Sequence, residues 1–231
     1  MEIIGHRGAR GLAPENTLAA LRAGIKAGAD WLEFDVRATE DGKVILIHDK
    51  TTLRITLKRK VVAKTKWSSL RQLKTRGGEP IATINQAFKT IGTQVKINVE
   101  IKSKGCAHKV VENIERLVKS GANYERFLVS SFSIGRLREI HRLNNKIPLG
   151  LLHNVSPYKF LRLRGLRVQV VGLHHRTLTA NIIHQAKIRE LKIYAYTVNN
   201  PKRAKQLQEM GVDGIFTDRP DKMVGLQQEA E

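Results

Sequence analysis

The sequence predicts an α/β fold, a (β/α)8 TIM-type barrel with a small basic insertion after the second strand and its hairpin. Three observations carry that reading. Nine short apolar runs recur along the chain: Ile3 to Gly5, Trp31 to Val36, Val44 to Ile47, Val95 to Ile101, Phe127 to Ser130, Pro148 to Leu152, Val168 to Leu173, Ile193 to Val198 and Gly214 to Thr217. Helical patterns lie between most of them, and such alternation argues for parallel βα units. The length of 231 residues suits one barrel, whose usual size is about 250 residues.

The first helix is expected over Asn16 to Ala27. Leu18, Leu21 and Ile25 recur at helical spacing, Asn16 suits the N-cap, and Gly28 closes the C-terminus. Similar patterns run from Ala107 to Ser120, Ser133 to Asn144, Leu178 to Glu190 and Pro201 to Met210. Nine strands are one too many for the barrel. Val44 to Ile47 follows its predecessor after only Thr39-Glu40-Asp41-Gly42-Lys43, and a parallel crossover needs a dozen or more residues. Asp41-Gly42 is instead a hairpin signal. A turn centred there pairs Glu40 with Lys43 and sets Asp35 opposite His48. The competing reading makes Val44 to Ile47 a barrel strand and drops another candidate. Residues 50–82 break the rhythm and read as an excursion with a short helix around Ser68 to Lys74. Residues 1–231 are expected to form one domain that carries it.

The apolar fraction of 41% and charged fraction of 27% are those of a soluble globular protein. No apolar run approaches the roughly 18 residues of a membrane span. The N-terminus lacks a secretory pattern and Cys106 has no cysteine to pair with, so a cytoplasmic location is expected. The net charge of +20 implies an anionic partner: nucleic acid, a membrane surface or an anionic substrate. Eight of the nineteen residues from Lys58 to Arg76 are Lys or Arg, and Lys159, Arg162, Arg164 and Arg167 form a second cluster. Aromatics are only 5% of the chain, which speaks against a single-strand nucleic-acid binder with stacking platforms. The basic excursion is therefore expected to steer anionic substrate or to dock on phospholipid headgroups, with no specific nucleic-acid partner.

The chemistry concentrates at strand ends. Glu33 and Asp35 are two apart in a strand, so they share a face, and Glu100 and Lys102 repeat the spacing. In a barrel that face is the interior, and its C-terminal rim holds the active site. Carboxylates crowded there would repel and protonate unless a cation intervenes. Glu33, Asp35 and Glu100 thus form a candidate oxygen site for Mg2+ or Ca2+. Lys102 and Arg7 suit phosphate contacts. His6 and His48 suit general acid and base. Glu15 either orients Arg7 or meets the metal. The remaining histidines read as structural, although His174-His175 end a strand and could reach the pocket.

These residues fall into motifs. His6-Arg7-Gly8, Pro14-Glu15-Asn16-Thr17, Glu33-Phe34-Asp35-Val36, Thr39-Glu40-Asp41-Gly42 and His48-Asp49 together resemble the glycerophosphodiester phosphodiesterase family. Glu100-Ile101-Lys102, Ser130-Ser131-Phe132, Thr197-Val198-Asn199 and the run from Gly211 to Pro220 agree with it. The resemblance implies a barrel with a small insertion and hydrolysis of glycerophosphodiesters to an alcohol and glycerol 3-phosphate with a divalent metal. It implies His6 and His48 as the catalytic pair, Glu33, Asp35 and Glu100 as metal ligands, and Arg7 and Lys102 as phosphate contacts. Tyr196 stands where the family commonly has Trp, so the apolar wall of the pocket differs. A lysophospholipase D-like or sphingomyelinase D-like enzyme on the same scaffold is the nearest alternative. A nucleic-acid-binding protein with a degenerate barrel is a remote one.

Overall fold

In the computed structural model, residues 1–153, 165–223 and 225 are described. The elements are β1 (Glu2–Gly5), α1 (Leu18–Lys26), β2 (Trp31–Ala38), β3 (Val44–Leu46), α2 (Leu53–Thr56), α3 (Trp67–Leu70), α4 (Ile84–Ile91), β4 (Lys96–Ile101), α5 (Ala107–Lys119), β5 (Phe127–Ser131), α6 (Ile134–Leu143), β6 (Leu149–His153), β7 (Val170–His174), α7 (Ala180–Lys187), β8 (Lys192–Tyr196), α8 (Pro201–Glu209) and β9 (Gly214–Thr217). β1 pairs in parallel with both β2 and β9, so eight parallel strands close on themselves. β3 pairs only with β2 among the strands, antiparallel, outside the closed ring. The hairpin is therefore the extra element, as the short turn required.

Alternation along each strand separates the layers. Ile4, Trp31, Leu128, Val170, Tyr194 and Phe216 fill the barrel interior as one cluster. The opposite faces, including Ile3, Leu32, Phe34, Val99 and Val129, pack on the helices through Leu21, Phe88, Ile114, Leu137 and Ile182. Glu2 closes the floor. Its carboxylate accepts from Trp31 Nε1 and Lys96 Nζ, each at 2.9 Å, and from the Tyr194 hydroxyl.

The excursion has its own small core of Ile45, Ile47, Val62, Leu70, Leu73 and Ile81. Its helical turn, α3, is shorter than expected and begins one residue earlier. α4 is a helix that sequence reading missed. Its signals were present: Thr83 and Gln86 form a reciprocal capping box, and Ile84, Ala87, Phe88 and Ile91 are buried on one face. Of the second basic cluster, Lys159, Arg162 and Arg164 lie outside the described residues. No helix among the described residues is long and apolar enough to cross a membrane.

Two local expectations need correction. The hairpin register is Val36 with Leu46, Arg37 with Ile45 and Ala38 with Val44, and Ile47 N donates to Asp35 O at 3.0 Å. Asp35 therefore faces Ile47 rather than His48. The loop has three residues, closed by Thr39 N to Lys43 O at 2.8 Å, with Gly42 at φ 75°. Thr39 Oγ1 also bonds Asp41 and receives Lys43 N, which favours this loop over the two-residue turn. In α1 the N-cap is Thr17, whose hydroxyl accepts from Ala20 N. Asn16 has another task.

Candidate active site

The C-terminal strand ends converge on a cavity of about 490 Å3, lined among others by His6, Arg7, Glu33, His48, Glu100, Lys102 and Tyr196. β2 sends Glu33 and Asp35 inward, and β4, in register beside it with Asp35 opposite Glu100, sends in Glu100 and Lys102. Oxygens of Glu33, Asp35 and Glu100 lie within 4.8 Å of one another. All three acids are buried. Glu33 Oε1 has no hydrogen-bond partner, which a carboxylate tolerates poorly in the interior.

The electrostatics follow from this crowding. Burial and the charges of Asp35 and Glu100 push the Glu33 carboxyl well above its usual range. Burial, then Asp35, lifts Glu100 to about 7. Burial also works against ionised Asp35, but Lys102 and Arg7 outweigh it and hold that carboxyl below its usual range. Lys102 Nζ lies 3.2 Å from Asp35 and pairs with Glu100, and Arg7 Nε lies 3.4 Å from Asp35. Three hard oxygen donors, one of them orphaned, fit a divalent cation of the Mg2+ or Ca2+ type.

The first loop is folded onto this cluster. Arg7 and Asn16 both have positive φ, 52° and 56°. That lets Arg7 N donate to Glu33 Oε2 at 2.7 Å. Asn16 Nδ2 donates to Asp35 Oδ2 at 2.8 Å while its Oδ1 receives Asp35 N at 3.0 Å. Asn16 is thus a buried clamp on a carboxylate, not a helix cap. Gly8, at φ 86°, brings the loop so close to α1 that a Cβ there would sit 2.6 Å from the Ala20 backbone.

Each histidine is held through Nδ1 by an acid. His6 meets Asp218 Oδ1 at 2.7 Å, and Asp218 also binds Arg10 Nε and Asn199 Nδ2, both at 2.7 Å. His48 meets Asp49 Oδ1 at 2.7 Å. Arg54, from the excursion, then links Asp49 at 2.6 Å to Glu15 at 2.6 Å, and Glu15 accepts from Arg7 Nη1 at 2.8 Å. Burial lowers both imidazole pKa values, against the hydrogen bond that His6 donates to Asp218 and the charge of Asp35 at His48. Burial raises the Asp218 carboxyl, but hydrogen bonds from His6 and Arg10 prevail and hold it far below its usual range.

The structure brings together all seven primary candidates and Tyr196. Glu15 joins the arginines instead of the acidic cluster. Tyr196 donates to His153 O at 2.8 Å, and its ring packs against Phe132 and Phe216, which line an apolar wall. Lys102 Nζ lies 5.3 Å over the Phe132 ring. His174 caps β7 and stacks on His175 without lining the cavity. Asp218, Asn199, Asp49, Arg54, Arg10 and Arg37 were missed as participants. Arg37 Nε donates to His48 O at 2.8 Å, tying the hairpin to the pocket. The usable signals were an acid directly after β9 and an acid directly after His48. Nothing local marked Arg54.

Comparison with known proteins agrees with the geometry. The model of the glycerophosphoryl diester phosphodiesterase family matches residues 6–222. A glycerophosphodiester phosphodiesterase of Caldanaerobacter subterraneus subsp. tengcongensis is 30% identical over 240 residues, covering 97% of this chain and 96% of that one. One from Bacillus altitudinis is 30% identical over 248 residues, covering 99% and 98%. A solved phosphodiesterase of Oleispira antarctica, in complex with the product sn-glycerol-3-phosphate, superposes with a TM-score of 0.87 at 27% identity, covering 99% and 97%. With barrel, pocket and sequence in agreement along nearly its whole length, this chain belongs to the glycerophosphoryl diester phosphodiesterase family and is a phosphoric diester hydrolase.

Proposed function

We propose that the chain hydrolyses small glycerophosphodiesters to an alcohol and glycerol 3-phosphate, with His6 and His48 as the acid–base pair. The observation that carries this is one cavity lined by both histidines, by Glu33 and Glu100 of the acidic trio, and by two cations suited to phosphate, Arg7 and Lys102. Glu33, Asp35 and Glu100 would hold Mg2+ or Ca2+, which when bound supplies Lewis-acid neutralisation of phosphate oxygens. Arg7 and Lys102 add fixed positive charge where negative charge gathers on phosphorus-bound oxygen.

Because each Nδ1 is engaged by a carboxylate, each Nε2 is the atom placed to exchange a proton with substrate. One imidazole takes the proton of the attacking hydroxyl, from water or from the glycerol 2-hydroxyl, as the new O–P bond forms. The other gives a proton to the alcohol oxygen as the old P–O bond breaks. In the glycerol route a cyclic phosphate forms first, and water then opens it. Phe132, Tyr196 and Phe216 give the organic part of the substrate an apolar wall. The ten Lys and Arg residues between Lys50 and Arg76 draw anions toward the mouth. In this reading residues 50–82 form part of the rim of a single catalytic domain spanning residues 1–231.

The test uses glycerophosphocholine, with release of glycerol 3-phosphate as the signal, and Mg2+ and Ca2+ compared by calorimetry. Expected is turnover that stops on chelation, and metal binding that disappears in Glu33→Gln and Asp35→Asn. Unchanged metal affinity in both variants would sink the assignment of the acids. Turnover of lysophosphatidylcholine in place of glycerophosphocholine would move the substrate to the lipid class.

A further inference from the structure

Six large apolar side chains are exposed among the described residues, and four of them lie on the excursion that follows His48-Asp49 or on the β1–α1 loop tied to it. Leu53, Leu57 and Val61 are 47%, 65% and 39% exposed, and Leu12, on the loop between β1 and α1, is 40% exposed. The first three sit on one compact loop. Thr52 N donates to Lys60 O and Val62 N to Lys50 O, both at 3.0 Å, and Thr51 bridges Val61. Leu57, at φ 63°, forms its tip. Arg54 ties the loop to Glu15, three residues beyond Leu12, and Pro14 packs on Gly77 of the same excursion. The loop begins directly after His48-Asp49.

The surroundings are uniformly basic. Lys50 to Arg76 contains ten Lys or Arg and no Asp or Glu. Lys50, Lys58, Arg59, Lys60 and Lys64 are exposed. Cations alone would suit a soluble anion, a nucleic acid or a lipid surface. Leucines presented to water at the tip of a cationic loop suit only one of these well, since an anionic bilayer offers acyl chains to the leucines and headgroup charge to the lysines.

We propose that this loop, with Leu12 beside it, docks the enzyme on anionic phospholipid surfaces and holds the mouth of the pocket against the bilayer. The purpose of such docking rests on the phosphodiesterase reading: it brings the catalyst to the surface where phospholipid-derived diesters arise. The docking geometry itself stands independently of the chemistry.

The full chain should co-sediment with vesicles of phosphatidylglycerol and phosphatidylcholine at about 0.15 M salt and not with phosphatidylcholine alone. Leu53→Gln with Leu57→Asn should weaken binding about tenfold or more. Both positions are exposed, and Asn accepts the left-handed backbone at position 57. Lys58→Gln, Arg59→Gln and Lys60→Gln together should weaken it by more, at about fivefold per charge, and flatten its salt dependence. Turnover of soluble glycerophosphocholine should be unchanged in the leucine variant, which leaves the substrate-steering charges in place. Binding that ignores the leucine substitutions, equal binding to neutral vesicles, or a gel shift with RNA in place of vesicle binding would each overturn the proposal. Vesicle binding without any hydrolysis would instead refute the catalytic reading and leave docking intact.

Discussion

His6 and His48 are held by the same kind of bond in opposite settings. His6 is 15% exposed in its side chain, and its partner Asp218 is fixed in turn by Asn199 and Arg10. Two of these groups directly follow β1 and β9, which lie side by side in the closed ring. His48 is 34% exposed, its partner Asp49 is 31% exposed, and that acid leans on Arg54, which is 46% exposed. This half is held by the excursion. The barrel half is therefore set by backbone register in a low-dielectric wall, whereas the excursion half relies on ion pairs that water and salt can reach. A (β/α)8 scaffold can in this way fix one histidine through strand register and hold the other through a single loop.

The largest effects test whether the two halves are both needed. His6→Ala and His48→Ala are each expected to lower kcat by about 10² to 10⁴. A near-normal rate in either, with saturating metal, would break the pairing. Next, Asp218→Asn should cost roughly 10² in kcat by removing the acceptor that fixes the His6 proton on Nδ1. The loss should be insensitive to salt. Arg54→Gln should cost only about tenfold, and the gap to the wild-type protein should narrow as salt rises, since the bridge it removes is already screened. Equal salt dependence for the two variants would erase the distinction between the halves.

The smallest effect concerns the barrel floor. Burial works against ionised Glu2, but hydrogen bonds from Tyr194, Trp31 and Lys96 bring its carboxyl down from 4.5 to about 2. A depressed folded-state pKa contributes stability above the unfolded value and loses it as pH falls toward the folded one. Glu2→Gln should therefore lower stability at pH 7 by roughly 1 to 2 kcal/mol after allowance for partial exposure. The difference should vanish between pH 4.5 and pH 2. Thermal unfolding at both pH values checks this, and an equal loss at both would show packing rather than charge.

Much of the site was legible because its residues lie where periodicity already points. Glu33 with Asp35, and Glu100 with Lys102, needed only the two-residue repeat of a strand and the rule that barrel chemistry gathers at one rim. Asn16 was legible as important but not as what it is. Its sequence context suits a helix cap, and only the fold of the first loop turns it onto Asp35. α4 was overlooked because it follows an irregular segment, although its capping box was complete. The hairpin was recognised while its register slipped by one, since Asp-Gly permits loops of two or three residues and the Thr39 side chain decided between them.

What this chain determined locally is its strand and helix order, the inward-facing acids and the two histidines, because side-chain alternation and turn chemistry act within a few residues. What tertiary structure alone decided is who holds those groups. Asp218 reaches His6 across 212 positions and Arg54 reaches Glu15 across 39. Such pairings come from ring closure and from the path of the excursion, and no pattern confined to neighbouring residues encodes them.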